Sequence, residues 1–171
     1  AEDGIRDYKV TGVSDVCSSD LVTTGEKIAP LIGAAPDQVI CADSVSVNLF
    51  KVLAAGLQLR PERQVILSTE DNFPTDLYMA QGLADLTGNG CRLELVGADD
   101  LCDALSDSVA ILMLTEVDFR TGRRLDIPSL TAAAHEAGAM VVWDLSHSVG
   151  AVPIAADEND VDFAVGCGYK F

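Results

Sequence analysis

The stretch AMVVWDLSHSVG at positions 139–150 decides the fold class. Five apolar residues run without a polar break and stop at a carboxylate, Asp144. A strand with one wet face alternates apolar and polar residues. An unbroken apolar run instead marks a strand covered on both faces, as in a parallel sheet. The same form recurs at 109–114 (VAILML) and, shorter or less pure, at 39–42 (VICA), 63–68 (RQVILS), 91–96 (CRLELV) and 162–165 (DFAV). Helical patterns lie between them. They cover 25–32 closed by Gly33, a segment capped by Asp43 or Ser44 and running to about Leu57, 74–86 with Pro74 in its first turn, a short 98–104, and 127–137 closed by Gly138. This alternation of strand and helix predicts a three-layer α/β/α, mostly parallel sheet. In such sheets ligands bind beyond the carboxyl ends of the strands, so the residues that follow each strand carry the functional reading.

The bulk properties agree with a globular chain: 171 residues, 49% hydrophobic, 22% charged. No apolar run approaches the roughly 18 residues of a membrane span, and no secretory signal opens the chain. The expected location is the cytoplasm. A net charge of -16 opposes binding to nucleic acid or to anionic membranes. The five cysteines (17, 41, 91, 102 and 167) are scattered, without a CxxC or a Cys/His cluster, so no metal site is expected. The first twenty-one residues differ from the rest. AEDGIRD at 1–7 and SDVCSSDL at 14–21 resemble a translated sequencing-library adapter, with Tyr8 and Lys9 where an index would lie. The natural sequence is then expected to start near Val22, with 22–171 as the folded part.

Five strand ends carry chemistry. Ser44 and Ser46 open a helix, either as a plain N-cap or as hydroxyls for a phosphate. Phe73 lies on a loop and Asp76 in the first turn of the next helix, where the dipole alone favours an acid. Thr115 ends the strand 109–114, and Arg120-Thr121-Gly122 reads as a turn. Asp144 follows a buried strand, a costly place for an unpaired carboxylate, and His147 stands one helical turn later; the other histidine, His135, reads as a mid-helix surface residue. Lys170 follows the last strand and two glycines, a setting in which a lysine can act as a nucleophilic amine. Singly, each of these also reads as an ordinary cap, turn or terminus. Together they form the set that holds pyridoxal phosphate: a lysine for a Schiff base, a carboxylate for the pyridine nitrogen, an aromatic for the ring face and a helix start for the phosphate.

The segments WDLSHSVG (143–150) and DFAVGCGYKF (162–171) resemble the kynureninase family of fold-type I pyridoxal-phosphate enzymes, within the class V aminotransferase superfamily. SVSVNL (44–49), FPTD (73–76) and TEVDFRTG (115–122) are similar to three more family segments, in the same order. The resemblance runs from about residue 25 to 171. It implies that Lys170 binds the cofactor covalently, that Asp144 faces the pyridine nitrogen with Asp76 as a second carboxylate, and that Phe73 stacks on the ring. It places Val45 and Ser46 at the phosphate end, has Tyr169 reach the phosphate and move protons, and has His147 and Thr115 line the cofactor. The family usually has Ala where Ser146 stands and continues past Phe171, so the chain reads as a partial large domain, incomplete as an enzyme. The implied reaction is hydrolysis of L-kynurenine, or its 3-hydroxy derivative, to an anthranilate and L-alanine, in tryptophan catabolism and NAD biosynthesis, by a homodimer with pyridoxal 5'-phosphate. After Lys170 is displaced by the substrate amine it takes the α-proton; water adds to the γ-carbonyl and the Cβ–Cγ bond breaks.

Two other readings remain. Another class V enzyme, a cysteine desulfurase or aminotransferase, would share Asp-x-x-His and Tyr-Lys, but FPTD favours kynureninase. A nucleotide-binding α/β domain would need G-x-G-x-x-G or G-x-x-x-x-G-K-[ST], and neither occurs. A genomic read across the start of the gene is expected to lack the stretch encoding residues 1–21; a read that carries it would make that stretch native protein.

Overall fold

The structure, a computed structural model, describes residues 20–88 and 90–170. Cys17, Phe171 and nearly all of the adapter-like segment lie outside the described residues. The elements in chain order are α1 (20–32), α2 (Val45–Leu59), β1 (Val65–Thr69), α3 (Pro74–Thr87), β2 (Arg92–Val96), α4 (Leu101–Ala104), β3 (Val109–Thr115), α5 (Ile127–Glu136), β4 (Met140–Asp144), a 3-10 turn (Asp157–Asn159) and β5 (Phe163–Val165). The strands form one five-stranded sheet in the order β2-β1-β3-β4-β5, and every pairing is parallel.

Both faces of this sheet are covered, which is why its central strands are apolar up to their last one or two residues. Along each strand successive side chains point to opposite faces. Val65, Leu67, Leu112, Leu114, Val141 and Trp143 join Leu101 of α4 and Leu130 and Ala134 of α5 in one core. Ile66, Ile111, Met113 and Val142 join Leu49 and Leu53 of α2 and Ala80 and Leu83 of α3 in the other. All seven residues of β3 are buried; each large aliphatic there contributes about 1.5–3 kcal/mol by leaving water. Trp143 keeps its one polar atom satisfied, donating from Nε1 to Thr131 Oγ1 at 3.2 Å.

Three expectations need correction. Residues 39–42 are apolar but form no strand. They lie extended against α1, so closely that a Cβ on Gly25 would stand 2.0 Å from the Val39 carbonyl oxygen. The Cys41 N–H bonds the Leu21 carbonyl, and the Asn48 side chain donates to the Ala42 carbonyl. Contact with a helix, not sheet pairing, accounts for their partial burial. β2 is no fully covered strand either: as an edge strand it is half-exposed at Arg92 and Glu94, which pair with each other at 2.7 Å. The helix expected at 98–104 shrinks to one turn, 101–104.

The end of the sheet opposite the strand carboxyl termini is closed by Arg63. Its guanidinium donates to the carbonyls of Ala137 at 2.7 Å and Val109 at 2.9 Å. Gly138 turns there with φ +79, and a Cβ on it would meet Arg63 Nη2 at 2.4 Å. Gly138→Ala therefore adds a strained backbone and displaces the guanidinium; it is expected to lower stability by about 1–3 kcal/mol. Urea unfolding with an unchanged slope measures this, and an unmoved midpoint would contradict it.

Candidate active site

The carboxyl ends of β1, β4 and β5 deliver groups to one edge of the sheet, where a cavity of about 1270 Å³ opens. The start of α2 supplies Val45 and Ser46 to its wall. Ser44 is spent as the N-cap, its Oγ accepting from Val47 N at 3.4 Å. The β1–α3 turn supplies Phe73 and Asp76, the β4 end supplies Asp144 and His147, and the β5 end supplies Tyr169 and Lys170. Eight of the nine residues expected at the site thus share one cavity.

The exception is Thr115. It does not line the cavity; its hydroxyl donates to the Asn72 side-chain oxygen, behind the wall. Sequence reasoning put Thr115 at a strand end, which is right. It could not tell that the side chain turns toward the β1 loop rather than into the opening.

Lys170 is held by two kinds of contact. Its Nζ lies 2.8 Å from His147 Nε2. It also stands over the Phe73 ring, 5.9 Å from the centroid, and over Tyr169 at 5.6 Å. His147 is itself packed by aromatics, edge-on to Phe73 at 5.9 Å and stacked with Phe119 at 6.4 Å. Phe119 comes from the β3–α5 loop and was not singled out in the sequence. That loop is tied by Asp118, whose carboxylate accepts from the Thr121 hydroxyl at 2.7 Å and from the Arg120 and Thr121 amides. The Thr121 hydroxyl, with those amides, holds the Asp118 carboxyl below its ordinary range.

Opposite the lysine lie two carboxyl groups with little access to water: Asp76 is 2% exposed and Asp144 4%. Asp144 Oδ1 accepts from Ser146 N at 2.9 Å and Ser146 Oγ at 2.6 Å, which fixes its orientation. The Asp76 carboxyl is pushed up to about 7 by burial first, then by the charge of Asp144 and hydrogen bonding with it, with Lys170 acting in the opposite sense. Asp76 Oδ2 and His147 Nδ1 are buried without a hydrogen-bond partner, an arrangement that costs free energy until a ligand supplies one. The Tyr169 phenol, largely exposed, is raised by its hydrogen bond with Cys167 and by the charge there.

A further acid, Glu116, is fully buried one residue beyond Thr115 and pairs with Arg124 at 2.8 Å. A charged residue continuing a buried strand was its sequence signal, and Arg124 its partner eight positions on. This pair braces the loop that carries Phe119. His135, read as mid-helix, stands in the last turn of α5 and bonds Asp162 at 2.8 Å; it does not line the cavity.

Residues 10–171 match the family described as Aminotransferase class-V. Over 145 residues, 85% of this chain, the sequence is 53% identical to a kynureninase of Deinococcus radiodurans, and over 98% of the chain it is 46% identical to a kynureninase of Pseudomonas fluorescens. The chain spans 35% and 40% of the length of these two relatives. A solved structure titled as a NifS-like protein superposes on 88% of the chain with a TM-score of 0.76 at 15% identity, which shows the same fold.

The carboxyl pair has a consequence for stability. The folded protein keeps a proton on Asp76 that the unfolded chain sheds near its ordinary value of 3.8. Stability is therefore lost as pH rises from about 4 toward 7. Asp76→Asn removes that loss. The variant is expected to match the parent near pH 4 and to exceed it at pH 8, by up to about 4 kcal/mol if the whole shift is relieved. Urea unfolding at the two pH values checks this; an equal or larger gain at pH 4 would contradict it.

Proposed function

The chain belongs to the class-V aminotransferase family, and from that premise we propose that it forms the cofactor cradle of an enzyme that hydrolyses L-kynurenine, or its 3-hydroxy derivative, to an anthranilate and L-alanine. The observation that carries this reading is the convergence of Lys170, His147, Phe73 and the Asp76–Asp144 pair on one cavity. Identity of 46–53% to kynureninases, against 15% to the NifS-like structure, favours this chemistry over desulfuration.

The residues fit pyridoxal phosphate. Asp76 Oδ2 and His147 Nδ1 are buried and lack partners, and a charged, hydrogen-bonding ligand would satisfy such atoms. Lys170 would hold the cofactor covalently, Phe73 would cover its ring, and Asp144, oriented by Ser146, would pair with its ring nitrogen. The α2 start, with Val45 and Ser46, would take the phosphate at amides the helix leaves free. When bound, pyridoxal phosphate supplies an electron sink for charge that develops at the substrate's α-carbon.

The protein's part is proton handling. Asp76, its carboxyl pushed up to about 7 by burial and by Asp144, keeps the pair from carrying two negative charges below neutral pH. The Lys170 amine would take the substrate's α-proton at Nζ. His147 Nε2, 2.8 Å away, receives and returns that proton. The Tyr169 phenol, raised above its ordinary value, keeps its proton through the neutral range and is an acid for the later steps. Water adds across the γ-carbonyl; the oxygen ends in the anthranilate carboxyl group, and a proton is returned to the alanine carbon. The whole enzyme is proposed to be a cytoplasmic homodimer.

In the full-length protein, Lys170→Ala is expected to abolish the visible absorbance of lysine-bound cofactor and to lower anthranilate release by at least about a thousandfold. A surviving band would remove Lys170 from its role. Sulfide release from cysteine without anthranilate release from kynurenine would overturn the choice of substrate.

A further inference from the structure

The turn after β4 carries a hydroxyl that the turn itself does not need. Ser146 is 4% exposed and sends two donors to one oxygen of Asp144. Its N–H meets Oδ1 at 2.9 Å, and its Oγ meets the same atom at 2.6 Å. The N–H bond closes an ordinary aspartate turn and would form with almost any residue at position 146. The hydroxyl bond is additional. Its length falls in the range of an O–H donated to an ionised carboxylate, about 2.5–2.7 Å. Asp76 stands in the opposite condition. Its Oδ2 is buried without a hydrogen-bond partner, and the side chain it does hydrogen-bond is Asp144, another acid. A hydrogen bond between two carboxyl groups needs a proton on one of them.

We infer that Ser146 is a positioning residue whose hydroxyl assigns the proton of the acid pair to Asp76 and keeps Asp144 as the carboxylate. Its consequence for binding rests on the reading of the cavity as a pyridoxal-phosphate site; the proton assignment itself does not. Burial does not choose between the two acids, since Asp76 is 2% exposed and Asp144 4%. The donors do. A hydrogen bond to the charged form of a carboxyl group favours that form, and Asp144 receives two from Ser146. The other titratable groups nearby leave this choice alone. His147, on the same turn, is engaged with Lys170, and Tyr169 with Cys167. Among the described residues, none of these four hydrogen-bonds the Asp144 carboxyl. Both Ser146 donors go to Oδ1, so Oδ2 is left clear of them. Asp144 then meets a protonated ring nitrogen as a carboxylate, already oriented and already ionised. With the proton on Asp144 instead, a protonated nitrogen would face a second acid proton and lose its partner.

The test uses Ser146→Ala in the full-length protein, which removes the hydroxyl and keeps both the Cβ and the turn N–H. The apoproteins of parent and variant are titrated with pyridoxal phosphate near pH 6 and near pH 8. Without the hydroxyl, Asp144 takes up a proton at the lower pH and gives it up at the higher. The variant is therefore expected to bind about tenfold more weakly than the parent near pH 6, the scale of one charge-assisted hydrogen bond, and to come close to the parent near pH 8. Comparison with the parent at each pH cancels the titration of the cofactor and of Lys170. An equal loss at both pH values would mean that the hydroxyl only supports the local structure, and would overturn the inference. Parental affinity at both would overturn it too. The second measurement needs no cofactor. In the apoprotein near pH 6, the carbon-13 resonance of the Asp144 carboxyl, assigned through Asp144→Asn, is expected at its ionised position in the parent and displaced toward the protonated position in Ser146→Ala. A resonance that Ser146→Ala leaves unmoved overturns the inference. A parent protein that takes up no pyridoxal phosphate would refute the reading of the cavity instead, and the carboxyl resonance would still decide the role of Ser146.

Discussion

Two carboxyl groups buried beside each other at the carboxyl edge of the sheet, Asp76 and Asp144, constrain the rest of this site. Like charges this close and this dry cannot both persist without help. The molecule answers in two ways. Asp144 is held in one orientation by the Ser146 amide and hydroxyl. Asp76 keeps its proton up to about pH 7, chiefly because it is buried and then because Asp144 is there. A folded chain that accepts this cost without relieving it by exposure has the form of a binding site waiting for a polar ligand, and the unpartnered Asp76 Oδ2 marks where such a ligand would be received.

The sheet explains why the acids can be there at all. With helices over both faces, the central strands β1, β3 and β4 are apolar until their last residues, so their polar groups collect at the carboxyl ends. Parallel pairing then brings ends from distant parts of the chain side by side, Thr115 with Asp144 and Asp144 with Val165. The rigidity of that edge comes from hydrogen bonds made behind it. The Asn72 amide, accepting from the Phe73 N–H, fixes the β1–α3 turn, the Glu116–Arg124 pair braces the β3–α5 loop, and Asp118 ties off the loop tip that sets Phe119 against His147. Among the described residues, Lys170 is held by His147 and by ring faces, which suits an amine that has to change partners.

Much of this was legible in the order of residues, for physical reasons. Runs such as VAILML and MVVW have no polar face and so belong in a covered sheet, and a carboxylate or lysine directly after such runs stands out. What was misread shares one feature: its meaning depends on which neighbour arrives from far along the chain. VICA at 39–42 is as apolar as a strand, but it packs against α1 at Val39 and Cys41, leaves Ile40 exposed and pairs with no strand. Thr115 sits at a strand end, yet its hydroxyl turns to Asn72 across the sheet. Asn72 itself passes for a turn residue in DNFP, since asparagine is common in turns for local reasons; only the partners Ser68, Met113 and Thr115 reveal a buried clamp. Phe119 lies in a loop whose sequence predicts a turn and no more, and its contact with His147 needs the fold.

The Asp76–Asp144 pair, with the Asp76 carboxyl pushed up to about 7, is proposed to hold a protonated ring nitrogen. The most direct test is the nitrogen-15 chemical shift of ring-labelled pyridoxal phosphate bound to the full-length protein. A shift characteristic of a protonated pyridine nitrogen at neutral pH, lost in Asp144→Ala, is the result this structure requires. An unprotonated nitrogen in the parent, or a shift indifferent to Asp144, would contradict it.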